Sequence, residues 1–272
     1  MHTIEAEHLT RDYGGGRGVF DLSLSVAEGE AFGFLGPNGA GKTTVIRHLM
    51  GFLRPQSGRC RMGAWDCWAQ REQVQGMVGY VPGEIAFFED MRGTDFLRFV
   101  EDYRGVSGAS RREALLERLE LDPRVPIRKM SKGNKQKLAI TAALLHDPQV
   151  LILDEPTSGL DPLMQSRFVE LIREEKRRGK TIFLSSHIFE EVERTCDRIG
   201  MIRGGRLVTV DTVEALRQRH LRSYRVTLSS EAEAAAFARD FSGVQTGPVV
   251  TVAAKAKLED IFMHYYGGEA DV

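Results

Sequence analysis

Apolar positions along the chain follow two periods. Phe20, Leu22, Leu24 and Val26 alternate with polar or small residues, the spacing of a strand with one buried face. Residues 31–35 are apolar or small throughout and run into Gly36, as a fully buried strand does when it feeds a loop. Val45, Ile46, Leu49, Met50 and Leu53 then recur at helical spacing, which predicts a helix over 42–53. Between 84 and 137 the strand signals fade. Phe96, Val100 and Tyr103 share one helical face, and Leu115 and Leu119 share another behind Ser110, a residue suited to capping. This predicts a helical insertion in an otherwise α/β chain.

Alternation resumes with a strand at 150–153, a helix at 162–178, a strand at 181–185 and a helix at 188–196. Pro162 suits a first helical turn and Gly179 a helix end. Gly204 and Gly205 form a turn between strands at 197–203 and 206–210. The C-terminal stretch predicts a small appendage: a strand at 223–228, an Ala-rich helix at 231–241, a strand at 249–252 and an amphipathic helix at 258–266. No internal repeat is present, which argues against a solenoid.

Composition narrows the classes. The chain of 272 residues is 42% hydrophobic and 28% charged, as a folded chain is and a disordered one is not. Lys and Arg number 37 against 38 Asp and Glu, for a formal net charge of −1. No whole-molecule basic field recruits nucleic acid, so none is expected as a partner. Apolar windows fall far short of the roughly 18 residues needed to cross a bilayer. The first ten residues carry Glu5 and Glu7 and lack the pattern of a secretory leader. The expected location is therefore the cytoplasmic side, with any membrane role supplied by another chain. Cys60, Cys67 and Cys196 show no zinc-site or Cys-x-x-Cys spacing and read as reduced thiols in or near the core.

The chemistry concentrates in a few segments. Gly36, Pro37, Asn38, Gly39, Ala40, Gly41, Lys42, Thr43 and Thr44 fit G-x-x-x-x-G-K-[ST] between a strand and a helix. Glycines let backbone N–H groups close around phosphate oxygens, and the helix start adds positive potential. Lys42 supplies charge to the β- and γ-phosphates and Thr43 a hydroxyl to Mg²⁺. The apolar strand at 150–153 runs into Asp154 and Glu155. Asp154 is the candidate Mg²⁺ residue, and Glu155 the candidate base that polarises the attacking water.

A third segment points to a family. Met130-Ser-Lys-Gly-Asn-Lys-Gln-Lys137 precedes an amphipathic helix with Leu138, Ala142 and Leu145 on one face and resembles the signature motif of ATP-binding-cassette (ABC) ATPases. Alone, it also reads as a solvated basic helix start. In that family the serine and helix-start N–H groups contact the γ-phosphate held by a second subunit, which implies roles for Ser131, Lys132, Gly133 and Asn134. The resemblance extends in order to Tyr13 as the aromatic beside adenine, Ser158-Gly-Leu-Asp161 as the loop coupling two active sites, and His187 as the switch histidine at the γ-phosphate. Taken singly, Tyr13 reads as a packed strand-end aromatic and His187 as a structural histidine.

The resemblance spans 1–220. It implies an α/β fold: a P-loop NTPase core with an antiparallel β-subdomain, a helical subdomain over 84–146, and an α+β appendage over 221–272. Two departures stand out. Lys132 and Asn134 replace the usual glycine and glutamine, and Gly83, beside Glu84, stands where many relatives carry a glutamine that touches Mg²⁺ and the attacking water.

The form of the signature, the segment after Val78 and the tail over 258–266 are similar to ATPase subunits of bacterial ABC-2-type exporters. That likeness implies ATP and Mg²⁺ as cofactors and a homodimer or a homologous ATPase partner. It also implies a separately encoded membrane-spanning permease at the cytoplasmic face of the membrane, with a drug, antibiotic or other lipophilic cargo. Phe87, Phe88, Met91 and Phe96 would then line a groove for a permease helix, or fill the insertion's own core. Two further readings are a soluble ABC ATPase acting on ribosomes, DNA or iron–sulfur assembly, and a regulatory module with weak hydrolysis.

Overall fold

The computed structural model describes residues 2–106, 109–219, 222–254 and 261–262. In chain order the elements are β1 (His2–Asp12), β2 (Gly18–Ala27), β3 (Ala31–Leu35), α1 (Lys42–Leu49), β4 (Ser57–Met62), β5 (Trp65–Asp66), α2 (Arg71–Met77) and β6 (Val78–Val81). The helical segment follows with α3 (Gly93–Arg104), α4 (Ala109–Arg118) and α5 (Lys132–Leu144). Alternation returns with β7 (Val150–Asp154), α6 (Pro162–Arg177), β8 (Thr181–Ser186), α7 (Phe189–Thr195), β9 (Arg198–Arg203) and β10 (Arg206–Thr212). The chain ends in α8 (Val213–Arg219), β11 (Arg222–Thr227), α9 (Glu231–Asp240), β12 (Val244–Thr246) and β13 (Val249–Ala254).

Contacts divide the chain into two units, Met1–Val210 and Asp211–Val272. The first holds a sheet ordered β2-β1-β4-β5 and a second ordered β10-β9-β3-β8-β7-β6. The pairs β6/β7, β7/β8, β8/β3 and β3/β9 are parallel, and β3, β7 and β8 are buried along their whole length. Such burial on both faces explains their uninterrupted apolar runs. Phe183 of β8 stacks on Phe32 and meets Phe34 of β3 at a tilt in the centre. A separate core of Leu97, Leu121, Ile127, Met130, Leu138 and Leu145 holds the helical segment. Burial pushes the thiols of Cys60 and Cys196 up to about 12, so these buried, unpaired cysteines stay protonated. In the second unit β11, β13 and β12 form an antiparallel sheet, with Ala234 of α9 and Val250 of β13 buried.

Several local expectations shift. In β2, Asp21 adopts φ 52° and the pairing with β1 slips between Leu9 and Arg11. The bulge changes the phase of the strand, so Val19 rather than Phe20 enters the core. The helix predicted over 42–53 stops at Leu49, because Gly51 turns left-handed at φ +68° and a Cβ there would lie 2.1 Å from the Cys67 carbonyl oxygen. Ser110 lies inside α4, not ahead of it. Tyr103 faces solvent, and Leu97 takes the buried stripe of α3. The short strand β12 was not expected. The amphipathic helix predicted over 258–266 lies outside the described residues, apart from the helical pair Ile261 and Phe262.

Candidate functional site

Three adjacent parallel strands assemble the site. β3 runs beside β8 with Leu35 opposite Ser186, and β8 beside β7 with Ser185 opposite Asp154. The carboxyl ends of these strands therefore carry the 36–44 loop, the segment around His187, and Asp154 with Glu155 side by side. Open α/β sheets receive ligands at that edge.

The loop after β3 leads straight into α1. Gly41 occupies the N-cap position at φ 110°, and no side chain there accepts from the first-turn N–H groups. The loop is braced from behind: the Gly205 N–H donates to the Ala40 carbonyl at 3.0 Å, and the Phe20 N–H to the Gly205 carbonyl at 2.8 Å. Helix-start N–H groups left without a side-chain cap are free to receive an anion. Lys42 is buried. Its Nζ donates to the carbonyls of Gly36 at 2.6 Å and Pro37 at 3.3 Å, and lies 3.2 Å from Glu155 Oε1.

The two acids at the end of β7 have different surroundings. Asp154 is fully buried, and two hydroxyls donate to its carboxylate: Thr43 Oγ1 to Oδ2 at 2.9 Å and Ser185 Oγ to Oδ1 at 2.5 Å. A buried carboxylate needs such donors. Glu155 turns away at φ 49°, a left-handed conformation uncommon outside glycine, while its N–H donates to the Ser185 carbonyl at 3.1 Å. That reversal aims the Glu155 carboxylate at the loop, where Oε2 also accepts from His187 Nδ1 at 2.5 Å. Lys42, Thr43, Asp154, Glu155 and His187 thus form one connected cluster. Gly83 lies against it, since a Cβ there would sit 3.1 Å from Asp154 Oδ2. Exposed Glu84 makes no hydrogen bond or ion pair among the described residues.

The remaining candidates 131–134, Asp161 and Tyr13 share no hydrogen bond or ion pair with that cluster among the described residues. Ser131 caps α5, its Oγ accepting from the Asn134 N–H at 3.2 Å. Lys132 Nζ donates to Ser158 Oγ at 3.1 Å, and a Cβ on Gly133 would lie 2.8 Å from the Gly159 carbonyl oxygen. The signature segment therefore packs on the 158–161 loop of its own chain, where Asp161 caps α6 by accepting from the Met164 N–H at 3.0 Å. Among the described residues no hydrogen bond or ion pair joins 131–134 to the 36–44 loop. Tyr13 is half exposed beneath the Arg11 guanidinium, 5.4 Å from its ring centre.

Sequence reading missed three contributors. Ser185 is recognisable afterwards as one of two serines closing an apolar strand. Gln136 is buried and donates Nε2 to the Pro156 carbonyl at 2.7 Å, tying α5 to the turn after Glu155. Glu191 is an acid on the buried face of α7, in phase with Val192 and Thr195.

Comparison with known proteins shows the family. The protein-family model described as "ABC transporter" matches residues 19–158. The linearmycin resistance ATP-binding protein of Bacillus subtilis is 32% identical over 266 residues, covering 96% of this chain and 82% of that protein. The bacitracin transport ATP-binding protein of Bacillus licheniformis is 34% identical, covering 85% and 76%. The Nod factor export ATP-binding protein I of Paraburkholderia xenovorans is 39% identical, covering 78% and 72%. Among solved structures, an ATP-binding subunit of an ABC transporter superposes with a TM-score of 0.73 at 30% identity, covering 80% of this chain and 92% of that one.

Proposed function

Because the chain belongs to the ABC transporter family, as an ATP-binding and ATP-hydrolysing subunit, we propose that it powers export of a drug, antibiotic or other lipophilic molecule through a separately encoded membrane permease. The observation that carries this reading is the cluster of Lys42, Thr43, Asp154, Glu155 and His187 at the ends of three parallel strands. The triphosphate lies along the 36–44 loop, and its oxygens replace the two loop carbonyls and Glu155 as partners of Lys42. Glu155, so released, aligns and polarises the attacking water, and His187 orients Glu155 and faces the γ-phosphate. The half-exposed ring of Tyr13 stacks on adenine.

The donor set suits Mg²⁺. Thr43 and Asp154 bring a hydroxyl and a carboxylate together, and no cluster of three or more acidic, histidine or cysteine ligands occurs among the described residues. Mg²⁺ commonly takes one or two protein oxygens and completes its shell with phosphate and water. When bound, it neutralises charge on the phosphate oxygens. Thr43 and Asp154 would hold it, and Ser185 fixes the carboxylate.

A second subunit, either another copy or a homologous ATPase, supplies Ser131, Lys132, Gly133 and Asn134 to the γ-phosphate from the opposite side, and Asp161 lies on the loop that couples the two sites. Support comes from the contacts of 131–134, which among the described residues include no hydrogen bond or ion pair to the 36–44 loop of the same chain. The permease contact is read from the aromatic surface of the helical segment. Phe87, Met91 and Phe96 pack onto its core, whereas Phe88 is 63% exposed, Tyr103 is 78% exposed, and both rings contact Phe99. Beside them a cavity of about 260 Å³ is lined by Met50, Phe52, Tyr80, Val100 and Tyr103. An amphipathic permease helix laid into such a groove buries its apolar face. No helix among the described residues is long and apolar enough to cross a membrane, in keeping with a subunit docked on the cytoplasmic face.

Steady-state phosphate release tests the reading. Glu155→Gln should cut turnover about 10²-fold or more while ATP still binds. Wild-type turnover in that variant rejects Glu155 as the base.

A further inference from the structure

Glu191 lies one turn beyond His187 on α7 and is only 4% exposed. A single oxygen of its carboxyl, Oε2, accepts from two hydroxyls: Ser186 Oγ at 2.6 Å and Thr157 Oγ1 at 3.2 Å. Ser186 immediately precedes His187, and Thr157 follows Glu155 and Pro156 in the turn after β7. Ser186 Oγ accepts in turn from the Ile188 N–H at 3.0 Å, so the entry into α7 is bound to the same carboxyl. One buried oxygen thus ties the segment carrying Glu155 to the segment carrying His187. The second oxygen, Oε1, is buried without a hydrogen-bond partner among the described residues.

Burying a carboxyl with one oxygen unpartnered costs free energy, and an apolar side chain of similar size would fill the space without that cost. Burial pushes the carboxyl up to about 7 against its two hydroxyl donors, and the charge of Glu155 adds to the rise. The position is therefore occupied at an energetic disadvantage, and its hydroxyl pair shows what the side chain does there.

We propose that Glu191 is a positioning residue for ATP hydrolysis: it holds Glu155 and His187 in mutual register through Thr157 and Ser186, without itself touching nucleotide. The proposal rests on the reading of Glu155 as the base. Its test compares kcat and ATP affinity in the full chain. Glu191→Ala should lower kcat about 10- to 100-fold while the Kd for ATP moves less than about twofold, since misplacement of a reacting group acts on the chemical step. Glu191→Gln should restore most of the turnover, because its amide oxygen accepts the same two hydroxyls. Thr157→Val, which removes one hydroxyl at nearly constant shape, should lower kcat severalfold with Glu191 intact.

Wild-type kcat in Glu191→Ala overturns the proposal, as does a Kd that rises in step with the loss of kcat, or a Gln variant as slow as the Ala variant. If Glu191→Ala does not fold, Thr157→Val reads the same link, and wild-type kcat there is equally decisive. The two readings separate cleanly. An active Glu155→Gln removes the base assignment, whereas an active Glu191→Ala beside an inactive Glu155→Gln removes the positioning role alone.

Discussion

Lys42 shows how much a single side chain depends on what surrounds it. Its ammonium is shared by two loop carbonyls and Glu155, so a triphosphate exchanges these contacts for stronger charge-assisted ones. Lys42→Ala should raise the Kd for ATP about tenfold or more, measured by equilibrium binding of a fluorescent ATP analogue. Unchanged affinity would count against the phosphate cradle. Gly83 gives a finer test, because a methyl group there meets Asp154 Oδ2 at 3.1 Å and forces the carboxylate to shift. Gly83→Ala should raise the Mg²⁺ concentration for half-maximal turnover severalfold, as disturbed outer-shell partners do. A magnesium titration identical to wild type would show that the carboxylate gives way freely. The tandem acids at the end of β7 could be read in the sequence. Their separate roles follow as expectations from the same motif, but the reversal of φ at Glu155 that turns the two carboxylates apart is not written in any local pattern.

At the scale of elements, α1 and the loop before it work as one unit. Gly41 sits at φ 110° with the Gly18 carbonyl oxygen 3.0 Å from where a Cβ would be, so Gly41→Ala strains the backbone by about 1–3 kcal/mol. The melting temperature should fall by several degrees and ATP binding should weaken; a variant matching wild type in both would mean that the loop relaxes without cost.

The turn after α5 carries a pH response. His146 donates Nε2 to the Val78 carbonyl at 3.3 Å while Nδ1 is buried unpartnered. Burial, aided by the charge of Arg104, lowers its pKa from 6.5 to about 4. The folded state therefore prefers the neutral ring. Its contribution is intact above about 6.5 and is lost as the pH falls toward 4, where the unfolded chain binds the extra proton. Replacing His146 with Gln should flatten that limb of the urea midpoint against pH, and an unchanged slope would assign acid sensitivity elsewhere.

For the whole molecule, the decisive question is where the signature segment finds its phosphate. Residues 131–134 pack on the 158–161 loop of their own chain and make no hydrogen bond or ion pair, among the described residues, to the 36–44 loop. Cysteines introduced by Ser131→Cys and Asn38→Cys should therefore crosslink between chains, not within one, when ATP is trapped in a Glu155→Gln background. The native cysteines are buried and do not interfere. Only intramolecular crosslinks, or none, would refute the two-chain clamp. Docking has its own readout. Phe88→Ser with Tyr103→Ser should abolish co-sedimentation with permease-containing membranes and leave ATP binding intact, since both side chains are exposed.

The sequence alone determined the elements whose local pattern is strong: the apolar runs of β3, β7 and β8, the glycine-rich entry to α1, and the start of α6 at Pro162. It also named the side chains of the triphosphate site, because phosphate and Mg²⁺ chemistry demands particular residue types at fixed local spacing. Tertiary structure decided which of them meet. Parallel pairing of β3, β8 and β7 aligned segments distant along the chain, a bulge at Asp21 turned Val19 inward, and the packing of α7 placed Glu191 between Thr157 and Ser186. Local periodicity carries no record of such encounters, because they arise from strand register and burial across the fold.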